Sequence, residues 1–196
     1  MTKIAVVYHS GYGHTKVVAE CVAAGAKSVA GSEVSIIAVA ELPPPDKDRK
    51  LGGRWDELAQ AEAIIFGAPT YMGSLSAEFK KFMESSAGLW FTQAWKDKVA
   101  GGFTNSGSMS GDKLNALFQL AIFAGQHSMI WVSTGMVGGQ PTGAPDALNR
   151  ISSQLGVMTQ SDQASPEVTP PKGDRATAEA YGKRVAEITA RFLKGK

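Results

Sequence analysis

The sequence has a single cysteine, Cys21, and three histidines, His9, His14 and His127. No intramolecular disulfide can form, and no Cys/His spacing suits zinc, so no metal is expected. Cys21 falls within a helical apolar pattern and reads as a buried structural thiol. Charge is sparse as well: 19% of residues are charged, the net charge is +2, and the Lys and Arg residues are scattered. Without a basic run, nothing argues for a nucleic-acid partner. No apolar run approaches the length of a membrane span, and the opening Met1–Ile4 leads into an apolar run too short for a signal peptide. A cytoplasmic location is therefore the default expectation.

Several nucleotide and catalytic fingerprints are also missing. No G-x-x-x-x-G-K-[ST] occurs, which argues against a P-loop NTPase. The glycines at 107 and 111 place Met109 where an α/β-hydrolase carries its serine. Gly11 and Gly13 start a dinucleotide pattern, but Lys16 stands where the third glycine belongs. The histidines lack the i, i+4 pairing of zinc proteases.

What remains is a chain of 196 residues, 43% apolar, which suits one domain with a sizeable core. Ile4–Tyr8 is a β-branched apolar run and reads as a strand buried on both faces. Val17, Val18, Cys21, Val22 and Gly25 then recur at helical spacing. Further strands are expected at Val34–Val39, Ala63–Gly67, Val99–Phe103 and Met129–Val132. Between them, Phe79, Phe82 and Met83 mark one helical face, and Leu114, Leu117, Phe118, Ala121 and Ile122 another. Glu41–Asp56, with three consecutive prolines, reads as a surface excursion. Gly135–Pro145 reads as loop, and Leu148–Pro171 as irregular. Tyr181, Val185, Ile188 and Phe192 space a closing helix. Strands alternating with helices predict an α/β three-layer sandwich around a five-stranded parallel sheet.

In such sheets ligands sit beyond the carboxyl ends of the strands. Three loops lie there. Ser10-Gly11-Tyr12-Gly13-His14-Thr15 joins a buried strand to a helix, whose free N–H groups suit a phosphate. An ordinary capped turn would use the same residue types. Pro69-Thr70-Tyr71-Met72-Gly73 offers an aromatic edge and backbone amides to a flat ligand, or is a plain helix-entry loop. Thr104–Gly111, containing Asn105, Ser106, Gly107, Ser108, Met109 and Ser110, allows close backbone approach. Together the three loops suit a ligand with a phosphate at one end and a planar ring at the other.

The residues Ile4–Thr15, Ala63–Gly73, Gly88-Leu89-Trp90 and Asn105–Ser108, with His127 beyond them, resemble the flavodoxin-like NAD(P)H:quinone oxidoreductases of the WrbA type. The resemblance covers most of the chain and implies a single flavodoxin-like domain over residues 1–196. It implies non-covalent FMN, with Ser10–Thr15 around the phosphate and Thr70–Met72 and Asn105–Ser110 around the ring. It places His127 beside the flavin, where a histidine can donate to a reduced quinone, Tyr12 near the nicotinamide, and Trp90 on the quinone pocket wall. It further implies NAD(P)H as donor, two-electron quinone reduction by a ping-pong cycle, and a homo-oligomer, dimer or tetramer. A flavodoxin-like electron carrier and an NAD(P)H-dependent FMN reductase are the alternatives. Three stretches depart from the family pattern: a short Glu41–Asp56 excursion, Tyr71-Met72-Gly73-Ser74 after Pro-Thr, and Leu155–Gln160 in place of a glycine-rich run.

Overall fold

A computed structural model describes residues 1–139 and 144–195. The parallel sheet is built from β1 (Thr2–Tyr8), β2 (Ser32–Ala38), β3 (Ala63–Tyr71), β5 (Val99–Ser106), β6 (Ile130–Trp131) and β7 (Val157–Gln160), with the short β4 (Ser74–Leu75) antiparallel to β3. The main order is β2-β1-β3-β5-β6, and β7 also pairs with β5. The fifth lane is thus shared. β6 pairs with the start of β5 (Val99↔Ile130) and β7 with its end (Phe103↔Val157). The expected fifth strand at Met129–Val132 therefore supplies only half of that lane. The other half comes from the stretch expected to be irregular. Its signal is short: Val157 and Thr159 are buried on alternate positions, within four residues.

Alternation along the central strands divides the core in two. Ala5 and Val7 of β1 with Ile64 and Phe66 of β3 face one side, under α2 (Trp55–Gln60), α3 (Ala77–Ser85) and α5 (Lys113–Gln126). Ile4, Val6, Ala63 and Ile65 face the other, under α1 (His14–Lys27) and α6 (Lys172–Lys194). The short α4 (Ala87–Phe91) follows α3. Helices on both faces of a parallel sheet give the expected three-layer sandwich.

On α5 the expected face is rotated. Leu117 is buried, together with Ala116, Leu120 and Phe123, but Leu114, Phe118 and Ile122 are exposed. The helix carries apolar residues nearly all round, so periodicity alone does not select the buried side. The loop expected at Gly135–Pro145 has no regular structure at 135–139 and 144, and residues 140–143 lie outside the described residues.

α1 and α6 touch through glycines. A Cβ on Gly25 would come 1.8 Å from the Glu179 carbonyl oxygen, and one on Gly182 would come 1.9 Å from that of Val22. Helix propensity alone favours alanine at both sites. The clash is with backbone, which cannot rotate aside, so packing decides the sign. Gly182→Ala is expected to destabilise the fold by about 1–3 kcal/mol. Urea unfolding checks this, and a stabilised variant would show that the helices separate freely.

Candidate functional site

The first loop leaves β1 at its carboxyl end. Gly13 has φ 88°, a left-handed conformation that favours glycine, and it precedes α1 directly. No side chain caps α1, and its first turn holds no acidic residue. A 14-residue helix thus ends in unpaired N–H groups with their partial positive charge uncompensated. Beside it, the Ser10 hydroxyl is buried with no hydrogen-bond partner among the described residues. A buried hydroxyl is costly to leave unmade, so this one is aimed at something not protein. His14 Nε2 donates to the Ala164 carbonyl at 2.8 Å, tying the loop to the segment after β7.

The second loop is mostly strand: β3 runs on through Pro69 and Thr70 to Tyr71. The Thr104 hydroxyl donates to the Ala68 carbonyl at 2.7 Å, so Thr70 is the donor in its own 2.7 Å bond to Thr104. Thr70 keeps free lone pairs. The Tyr71 ring folds back over the first loop, meeting Tyr12 edge to face at 6.4 Å. At Gly11 a Cβ would come 2.5 Å from the Tyr71 hydroxyl, so glycine is needed for that approach. Burial beside Tyr12 raises the Tyr71 pKa above its ordinary value. Met72 and Gly73 both have positive φ, 48° and 76°, in the two-residue β3–β4 turn. That turn docks on α5 through Asn115 Nδ2, which donates to the Gly73 carbonyl at 2.7 Å.

The third loop continues β5. Asn105 Oδ1 accepts from Thr159 Oγ1 at 2.8 Å and Ser161 Oγ at 2.9 Å, which leaves its amide N–H groups for a ligand. The three loops converge on one cleft of about 470 Å³. Ser10, Tyr12, His14 and Thr15 line it from the first loop, Pro69, Thr70 and Tyr71 from the second, and Asn105, Ser106 and Gly107 from the third. Ser161, Asp162 and Gln163 close the fourth side. The sequence reading missed these three because β7, which delivers them, was not legible. Met72, Gly73, Ser108, Met109 and Ser110 sit in the same loops but do not line the cleft.

The NADPH-dependent FMN reductase family matches residues 2–141. The chain belongs to this family. It is 42% identical to "Flavodoxin FldP" of Pseudomonas aeruginosa over 96% of this chain and 97% of that one. It is 31% identical to an "NAD(P)H dehydrogenase (quinone)" of Geotalea uraniireducens, over 98% of this chain and 100% of the relative. A solved flavodoxin, WrbA-like protein from Agrobacterium tumefaciens superimposes with a TM-score of 0.73 at 41% identity, covering 97% of this chain and 99% of that one. These findings uphold the resemblance read from the sequence.

FMN fits the cleft on the chain's own geometry. An uncapped helix N-terminus and an orphaned buried hydroxyl suit its phosphate. Tyr12, Tyr71 and the Asn105 amide suit a flat heteroaromatic ring.

His127 and Trp90 are not brought to this cleft. His127 ends α5 and precedes β6, which pairs with Val99 at the start of β5. The cleft lies at Asn105, about 20 Å further along that strand. His127 is 1% exposed, packed on Trp95 and Phe123 at ring distances of 4.4 and 4.9 Å. Ser86 Oγ donates to the Met83 carbonyl at 2.7 Å, so His127 Nε2 is the donor in its 2.9 Å bond to Ser86. Burial pushes the His127 pKa down to about 4, and the ring is neutral at pH 7. With Trp90 it lines a separate cavity of about 350 Å³ between α3, α4 and α5. Helical length caused the displacement: 14 residues of α5 return the chain to the far end of the sheet.

Sequence reading also missed a buried charged network behind the third loop. Arg150 and Asp174 form a two-bond ion pair, Nε–Oδ1 2.7 Å and Nη2–Oδ2 3.1 Å, with both side chains buried. Arg150 Nη2 also donates to Gln160 Oε1 at 2.9 Å, and Gln160 Nε2 donates to the Gly107 carbonyl at 2.9 Å. Lys113, wholly buried on α5, donates to Ser106 Oγ at 2.8 Å and to the Ser108 carbonyl.

Proposed function

We propose that the chain holds FMN non-covalently in this cleft and passes electrons from NAD(P)H to a quinone or similar small acceptor. Ser10, with the N–H groups of Gly11–Thr15, takes the phosphate. Pro69–Tyr71 and Asn105–Gly107 hold the ring, and the exposed Tyr12 borders the position for a donor or acceptor. Bound FMN supplies the electron chemistry, and the protein supplies position and a shaped environment. One open face beside Tyr12 suits donor and acceptor in turn, which is the basis for a ping-pong cycle. The observation carrying the reading is the buried, unpartnered Ser10 hydroxyl at the uncapped start of α1.

A homo-oligomer belongs to the same proposal. Leu114, Phe118 and Ile122 form an exposed apolar stripe along α5. The exposed Trp90 can reach a ring in the cleft only from a second copy.

Ser10→Ala is expected to raise the Kd for FMN about 10- to 100-fold, the worth of one hydrogen bond to a charged group. Its Kd for riboflavin should stay unchanged, because riboflavin lacks the phosphate. Equal loss for both ligands would remove Ser10 from the phosphate site. The activity is tested by absorbance: flavin bands on adding FMN, then bleaching by anaerobic NADH or NADPH, then recovery on adding a quinone. The 42% identical relative bears the name flavodoxin, which favours an electron carrier as the second reading. Bound FMN that neither nucleotide bleaches would select the carrier. Absence of FMN binding would overturn both.

A further inference from the structure

Lys113 is 0% exposed, yet its hydrogen bonds go to neutral acceptors, Ser106 Oγ and the Ser108 carbonyl. The charged groups acting on it are Asp174 from α6 and Arg150 from the turns before β7, with opposite signs. Those two are already paired with each other. An ammonium buried without its own carboxylate is costly, and burial lowers its pKa to about 8. The chain bears this cost directly behind the cleft, since Ser106 lines it.

The same bonds set the direction of the loop. Gln160 holds the Gly107 carbonyl, and Lys113 holds the Ser108 carbonyl. A trans peptide points its N–H opposite to its carbonyl. The N–H groups of Ser108 and Met109 therefore point away from Gln160 and Lys113 respectively. Two fixed peptide groups and one buried ammonium stand behind the third-loop side of the cleft, and the Asp162 carboxylate lines its fourth side.

Resting on the FMN reading above, we propose that Lys113 is a positioning residue for the flavin, orienting the third loop and favouring the reduced, more negative form of the ring. Isoalloxazine gains negative charge when it takes up two electrons and one proton at neutral pH. A nearby cation favours that form, and charge close to the ring is one of the means by which a protein tunes it.

The test uses the FMN-loaded protein. The Kd for oxidised FMN is measured by fluorescence quenching, and the midpoint potential by anaerobic titration against a reference dye. Lys113→Met is expected to weaken binding of reduced FMN about tenfold relative to oxidised FMN, which lowers the two-electron potential by about 30 mV. Gln160→Met with Asp162→Asn removes the bonds of Gln160 to the Gly107 carbonyl, Asp162 and Arg150 without stranding a carboxylate at the cleft, and keeps the Lys113 charge, so lowering of the potential by Lys113→Met persists in that background. The wild-type protein gives a reading that needs no variant. If Lys113 takes up a proton with reduction, its potential falls more steeply with pH above about 8, where the free ammonium is lost. FMN bound by Lys113→Met at an unchanged potential overturns the inference. Lys113→Gln, which keeps a donor to the loop without the charge, gives the same reading where Lys113→Met fails to fold, and an unchanged potential there overturns the inference too. Failure of the wild-type protein to bind FMN overturns instead the reading on which it rests.

Discussion

Arg150→Met is expected to lower the free energy of unfolding by about 3–5 kcal/mol, the cost of stranding a buried charge. In the folded protein Asp174 accepts two bonds from Arg150 and one from the Gln160 N–H at 2.7 Å. Burial raises the Asp174 pKa, and the guanidinium opposes that rise. Methionine matches the stem of arginine but leaves the carboxylate with a single donor. The pair itself need not be worth this much, because desolvation of both ions offsets most of their attraction. Adding Asp174→Asn tests that distinction. The amide keeps an acceptor for the Gln160 N–H and carries no charge, so the double variant should recover most of the loss. Denaturant midpoints of wild type, the two single variants and the double variant provide the measurement. A loss below about 1 kcal/mol for Arg150→Met would mean that water reaches Asp174.

Acidification should expose His127 in the same way. Its folded pKa, about 4, lies below the ordinary 6.5, because burial between Trp95 and Phe123 disfavours the imidazolium. Below pH 6.5 the unfolded chain takes up a proton that the folded chain refuses until about pH 4. The stabilisation is therefore complete above pH 6.5 and is lost as pH falls through that window. At about 1.4 kcal/mol per pH unit, roughly 3 kcal/mol is at stake. Carboxylates titrate in the same range, so the informative quantity is the difference between wild type and His127→Leu. The variant loses the bond to Ser86 at every pH, which shifts its stability by a constant. Between pH 7.5 and 4.5 it should lose about 2–3 kcal/mol less than wild type. Parallel stability curves would place water around the ring.

The sequence by itself determined the layer order, the three loops that meet at the cleft and the residue types in them. Continuous β-branched apolar runs at Ile4–Tyr8 and Ala63–Gly67 read as strands buried on both faces, and their alternation with helical patterns points to the parallel sheet. Once strands end in Gly-, Ser- and Asn-rich loops, the cleft position follows from topology. Residue types suggested a phosphate at one end and a planar ring at the other; the family resemblance named the ligand as FMN.

Tertiary structure decided the rest, wherever the deciding contact spans many residues. β7 is four residues long and exists because β5 offers it an edge. Ser161–Gln163 reach the cleft only through that pairing. Arg150 meets Asp174 across 24 residues, and Gln160 meets Gly107 across 53. No local pattern marks such pairs, because each side chain alone reads as an ordinary surface group. The buried face of α5 was ambiguous for the opposite reason: apolar residues occur nearly all round it. His127 shows the limit most directly. The family resemblance placed it beside the flavin, but 14 residues of helix set it at the opposite end of the sheet from the cleft.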